Sequence, residues 1–239
     1  MSNPFFKFKQ FTVRHDKCAM KVGTDGVLLG AWCDISSNKY ILDVGTGSGL
    51  IALMVAQRNS SAEIDAIEID EMACEQAKEN VQSSPFNKQI SVIHSDFNDF
   101  IPTSGKKYDH IVSNPPYFIN ALSCPDAQRN TARHANSLLL PSFLEKCRYL
   151  LADNGRISVV LPYDQKAYFL DAIKKNKYHL SRFENVYPTI TSDKPKRFLA
   201  ELALYHTGST QIADLYIETN RLQYTEKYIS LTNAFYLKM

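Results

Sequence analysis

The run Tyr40-Ile41-Leu42-Asp43-Val44-Gly45-Thr46-Gly47-Ser48-Gly49-Leu50 decides how this chain is read. Tyr40 to Val44 is a short aliphatic stretch that predicts a strand, and Leu50 to Arg58 carries apolar residues at helical spacing. Between them the glycines let the backbone turn sharply from strand to helix and pass close to a ligand, where a Cβ would clash. The spacing is G-x-G-x-G, so the dinucleotide fingerprint G-x-G-x-x-G is not met. Asp43, just before the glycines, would also repel a pyrophosphate.

Outward from this turn the pattern repeats. Ile64 to Ile69, Ile90 to His94, His110 to Ser113 and Arg156 to Leu161 read as strands, and Met72 to Gln82 and Ser137 to Leu151 as amphipathic helices. Strands alternating with helices predict an α/β fold, a mostly parallel sheet covered on both faces. After Tyr163, Leu180 to Val186 and Phe198 to Tyr205 read as an antiparallel edge hairpin joined by the loop Tyr187 to Arg197. No repeat or Pro/Gly/Ser linker divides the chain. One domain is expected over 1–239: an N-terminal cap over the ligand site (1–38), a core (39–205) and a C-terminal appendage (206–239).

Composition narrows the classes. A chain of 239 residues with 44% hydrophobic content can fill a sizeable core. Residues 1–10 mix lysines among phenylalanines and carry no apolar run of the kind a signal peptide or membrane span needs, so a cytoplasmic protein without a membrane role is expected. Five cysteines, scattered and without a C-x-x-C pair, predict reduced thiols and no metal site. The formal charge of +2 and the pI near 8.2 are too mild to identify a nucleic-acid binder or to exclude one.

The strand ends carry the candidate ligand groups. Asp43 suits a ligand with an ammonium group, directly or through water, such as the methionine part of S-adenosylmethionine. Glu68 ends the second strand, roughly 20 residues beyond the last glycine, where a carboxylate can accept both ribose hydroxyls in a doubly wound fold. Asp96-Phe97 ends the third strand and offers an acceptor for an adenine amine and an aromatic face beside its ring. With Gly45, Gly47 and Gly49 these residues address successive parts of one nucleoside. Asp70 reads as the cap of the helix that begins at Glu71.

The fourth strand delivers Asn114-Pro115-Pro116-Tyr117 to the carboxyl edge of the sheet, where open α/β folds bind ligands. An sp2 amine has its lone pair delocalised and is a poor nucleophile until acceptors hold its N–H bonds. The Asn114 side-chain oxygen and the Pro115 carbonyl can be those acceptors, fixed in direction by proline rigidity, and Tyr117 can stack on a flat target. Asn114 borders both the donor and the acceptor. No strong general base is needed, because the methylated amine is acidic enough to release its proton to solvent. Arg133 and His134, farther along, read either as closing the target pocket or as an ordinary surface or helix start.

Asp43 to Gly49, Glu68, Asp96-Phe97 and Asn114 to Tyr117 resemble the ordered motifs of class I methyltransferases that modify amino groups. Phe6 to Phe11, Met20 to Trp32, Ala132-Arg133-His134 and Lys194-Pro195-Lys196-Arg197 extend the resemblance over nearly the whole chain to the bacterial tRNA(Val)-specific adenine-N6 methyltransferases. This resemblance implies a Rossmann-like domain with a seven-stranded sheet, S-adenosylmethionine as donor, and tRNA as acceptor at the adenine 3′ of the anticodon, position 37. It implies no obligate protein partner. It also implies that Thr24 and Asp25 lie over the donor pocket, whereas their composition alone reads as a helix cap.

An adenine beside an anticodon lies in a loop, and enzymes acting on bases turn them out of the stack. Candidate phosphate contacts are Lys7, Lys9, Lys17 and Lys21, and Lys194, Lys196 and Arg197. Phe5, Phe6, Phe8 and Phe11 among lysines read as a half-buried strand or as a stacking platform. Tyr224, Tyr228, Phe235 and Tyr236 recur near helical spacing and read as packing. Two other functions stay open: a protein glutamine methyltransferase using the same loop, though only residues 1–38 precede the first strand, and a catalytically idle RNA-binding protein. The loop recognises an amine and not a sugar, so DNA also stays open as acceptor.

Overall fold

The computed structural model describes residues 3–115, 139–206 and 208–238. At its centre β3 (Tyr40–Val44) enters the glycine turn and continues into α2 (Leu50–Arg58). There follow β4 (Glu63–Glu68), α3 (Glu71–Gln82), β5 (Ile90–His94), β6 (Tyr108–Ser113), α4 (Leu140–Leu150) and β7 (Leu151–Pro162). β3 pairs in parallel with β4 and β6, β4 with β5, and β6 with β7, as crossover connections require. Asp70 caps α3, accepting from the Ala73 amide at 2.8 Å.

The hairpin is present but is not at the edge. α5 (Lys166–Lys175) leads into β8 (His179–Thr189), which pairs antiparallel with β9 (Arg197–Ala203), itself antiparallel to β7. Residues read as a C-terminal appendage then supply β10 (Gln211–Asn220), parallel to β8, and β11 (Gln223–Tyr224). The seven expected strands therefore become a nine-stranded sheet of order β11-β10-β8-β9-β7-β6-β3-β4-β5. β10 lacks the apolar alternation of a half-buried strand, since only Leu215 in it is buried. Its place is set by backbone pairing to β8.

Two apolar clusters cover the two faces of the sheet. Neighbouring strand residues Ile41 and Leu42 belong to opposite clusters, as the strand's period of two dictates. α2 is buried along Leu50 to Ala56, because α1 (Thr24–Trp32) packs on the side that would otherwise face water. Burying Leu53, Met54 and Val55 contributes about 1.5–3 kcal/mol each. The approach is close at Gly30, where an added Cβ would lie 2.9 Å from Met54 Sδ and 3.0 Å from its Cβ.

The phenylalanine-rich start forms the hairpin β1 (Phe5–Lys7) and β2 (Thr12–Arg14), with Phe8 and Phe11 buried. The Phe8 ring stacks on Tyr236, which follows α6 (Glu226–Thr232), so the two ends of the chain share one layer. Among the described residues no helix is long and apolar enough to cross a membrane.

Candidate active site

The carboxyl edges of β3, β4, β5 and β6 surround a cavity of about 310 Å³, within the size range of small-ligand sites. Gly45, Gly47, Glu68, Asp96, Asn114 and Pro115 line it, as does Phe97. The glycine loop is held by β4, since Gly45 and Thr46 both donate their amides to the Ile67 carbonyl at 2.9 Å. Gly47 has φ 55°, a conformation that disfavours other residues, and a Cβ there would meet no atom within 4 Å. Of the loop, only Gly45 and Gly47 line the cavity, so no side chain of the loop fills it.

Glu68 is nearly buried and held by backbone donors. The Gly47 amide donates to Oε2 at 2.8 Å, and the Ile69 and Asp70 amides donate to Oε1 at 2.9 and 3.0 Å. A carboxylate oxygen accepts more than one hydrogen bond, so Glu68 keeps capacity toward the cavity while its direction is fixed. Asp96 accepts from the Asn98 amide at 2.8 Å and from the Asn98 side chain at 3.1 Å through Oδ1. Phe97 lines the cavity while its ring packs on Phe143, 5.5 Å between centroids, so it is anchored in the core. The end of β6 is pinned by Ser113, whose Oγ donates to the Val44 carbonyl at 2.8 Å, and Asn114 and Pro115 follow it into the cavity.

Several expected site residues lie elsewhere. Asp43 is fully buried beneath the loop and does not line the cavity. Its Oδ2 accepts from Thr46 Oγ1 at 2.6 Å and from the Ala52 amide at 3.1 Å, which couples β3, the glycine loop and α2. Its Oδ1 has no partner among the described residues, and burial pushes its pKa up to about 7. Gly49, with φ 81°, is the N-cap of α2 and also lies outside the lining.

Thr24 borders a different cavity, and neither reading of Thr24-Asp25 describes their place: Gly23 is the N-cap of α1, and Asp25 forms an ion pair with Arg197. Lys196 and Arg197 border that second cavity with Thr24, and Lys194 is exposed outside both. Tyr117, Arg133 and His134 lie outside the described residues.

The sequence does not single out two contributors as site residues. Cys18, Ala19 and Met20 border the cavity from the N-terminal segment, which carries no periodic pattern. Burial, with Glu68 and Asp70 nearby, pushes the Cys18 thiol up to about 11, so it is neutral and a poor nucleophile. Asn80 is buried on α3, where it donates to the carbonyls of Ser48 and Arg14, both at 2.8 Å, and accepts from the Arg14 amide. It ties the glycine loop to β2. A polar residue in a helix interior is the only signal it leaves.

Comparison with known proteins fits this arrangement. Residues 23–176 match the family described as methyltransferase small domain. The chain is 50% identical over 239 residues, all of both chains, to a tRNA1(Val) (adenine(37)-N6)-methyltransferase from Parabacteroides distasonis. It is 42% identical to one from Flavobacterium johnsoniae, over 98% of this chain and 100% of the relative. Among solved structures, a predicted O-methyltransferase from Agrobacterium tumefaciens superposes with a TM-score of 0.66 at 18% identity, covering 88% of this chain and 96% of that one. TrmN from Thermus thermophilus does so at 0.57 and 22%, covering 80% and 52%. These two show the fold. With half its residues identical over the full length, the chain belongs to the family of tRNA1(Val) (adenine(37)-N6)-methyltransferases.

Proposed function

We infer that this protein transfers a methyl group from S-adenosylmethionine to the N6 amine of adenine 37 in a tRNA(Val), next to the anticodon. The observation that carries the reading is the convergence of the glycine loop, Glu68, Asp96, Asn114 and Pro115 on one cavity at the carboxyl edge of the sheet. The full-length relatives named for this reaction support it, and the substrate class points to the cytoplasm.

The lining fits the donor. Gly45 and Gly47 leave a side-chain-free cradle, Glu68 presents a fixed carboxylate to ribose hydroxyls, and Asp96 and Phe97 offer an acceptor and an aromatic ring to adenine. When bound, S-adenosylmethionine supplies an electrophilic methyl group on its sulfonium sulfur. Asn114 and Pro115 act on the acceptor: their oxygens take the amine's N–H bonds, orient its lone pair and stabilise the positive charge that develops on nitrogen. Ser113 and the buried Pro115 hold these acceptors in place beforehand. The surplus proton leaves to solvent. Tyr117, two positions beyond Pro115, is assigned by its sequence motif to stacking on the target base.

The test is transfer of labelled methyl to unmodified tRNA, with DNA and protein acceptors in parallel and nucleoside analysis of the product. N6-methyladenosine in tRNA is expected. Asn114→Ala is expected to lower the rate about 10²–10³-fold with donor affinity largely kept. Label in DNA or in glutamine would replace the acceptor, and full activity of Asn114→Ala would remove that residue from the chemistry.

A further inference from the structure

The second cavity, about 700 Å³, lies on the same sheet edge as the donor cavity. β8 and β10 run in the same direction as β6 and β7, because the antiparallel steps through β9 restore it. Val186 of β8 and Ile217 and Glu218 of β10 border this cavity at their carboxyl-terminal ends. In the order β6-β7-β9-β8, strand spacing of ~4.8 Å puts β8 about 14 Å from the end of β6, where Asn114 emerges. The second cavity is therefore too far away to hold the reacting adenine and near enough to meet the same RNA loop.

Its walls combine aromatic rings with cations. Phe6, Tyr224 and Tyr236 are half-buried and line it, with Lys7, Lys196 and Lys238 exposed beside them. The Tyr228 and Tyr236 hydroxyls meet at 3.5 Å, and the Tyr224 and Tyr228 rings lie 5.3 Å apart. Among the carboxylates nearby, Asp25 is paired with Arg197, and Glu218 also lines the cavity. By contrast, Lys9 donates to the Asn233 carbonyl at 2.5 Å and Lys17 pairs with Glu79 at 2.7 Å, so these two basic residues are engaged within the protein. Rings that can stack on a base, flanked by lysines that can meet phosphates, are the composition of single-stranded nucleic-acid sites.

We propose that this cavity binds a second, unstacked nucleotide of the RNA substrate, its base against Phe6, Tyr224 and Tyr236 and its phosphates on Lys7, Lys196 and Lys238. The inference rests on the reading that RNA is the acceptor, and makes the cavity a specificity pocket distinct from the target-base site. The C-terminal tyrosines are then both packing and recognition.

The experiment measures binding of an unmodified tRNA(Val) transcript over a range of salt, together with methyl-transfer kinetics and calorimetric binding of S-adenosylmethionine. Tyr224→Ala is expected to raise KM for tRNA about ten-fold or more with kcat and donor affinity kept, and Tyr224→Phe to behave as wild type. Lys196→Ala with Lys238→Ala is expected to reduce the slope of log affinity against log salt by about 0.7 per lysine. Wild-type KM and salt slope in all of these variants would overturn the pocket while leaving the methyl-transfer reading intact. If the wild type binds the tRNA with these mutational effects on affinity and slope but methylates none of it, the pocket stands and the proposed reaction fails. Absence of RNA binding by the wild type overturns both.

Discussion

Asp43 sits where its charge is least comfortable, fully buried with one carboxylate oxygen unpartnered among the described residues. Its pKa rises from 3.8 to about 7, so the folded protein holds a proton there that the unfolded chain releases. The resulting stability is complete below about pH 4 and is lost as pH rises through about 7. An asparagine at this position would be neutral throughout, would still accept from Thr46 and Ala52, and would place an amide at the unpartnered position. Asp43→Asn should therefore gain in melting temperature over the wild type between pH 5 and pH 8. Parallel pH profiles for the two proteins would show that Asp43 ionises without cost. Asp43 is thus read as a residue that shapes the loop, whereas Glu68, Asp96 and Asn114 face the ligand space itself.

At the scale of elements, α1 carries more weight than an N-terminal cap suggests. It completes the burial of α2, and Trp32 at its end donates to Glu184 of β8 at 2.5 Å while Arg182 stacks over the indole ring at 3.6 Å. The close approach of α1 and α2 depends on Gly30. Gly30→Val must displace Met54 or separate the helices and should cost about 1–3 kcal/mol, read as a lower denaturant midpoint with an unchanged slope. An unaltered midpoint would mean that Met54 moves aside freely.

Over the whole molecule the two chain ends close on each other. The Lys9 amide donates to the Phe235 carbonyl at 2.8 Å, and Gln57 of α2 reaches the Ala234 carbonyl at 2.9 Å. Leu215, Tyr228 and Phe235 are buried in the same cluster as α1 and α2. Removing residues 206–239 would uncover these contacts and leave β8 as an unpaired edge. That truncated protein should aggregate or unfold, and a monodisperse, cooperatively melting product in gel filtration and calorimetry would show that the C-terminal part is dispensable.

What the sequence determined by itself was local: the alternation of strands and helices, the glycine turn, the Asp70 cap and the acids at successive strand ends. Each is written in periodicity or in a short motif whose geometry neighbouring residues dictate. Tertiary structure decided the rest. β10 joins the sheet through backbone hydrogen bonds that leave little trace in side-chain pattern, and Asp43 faces the interior because the loop folds over it. Lys7, Lys196 and Lys238 are remote in sequence, and only the meeting of the N-terminal hairpin, the β8–β9 turn and the C-terminus around one cavity makes them neighbours.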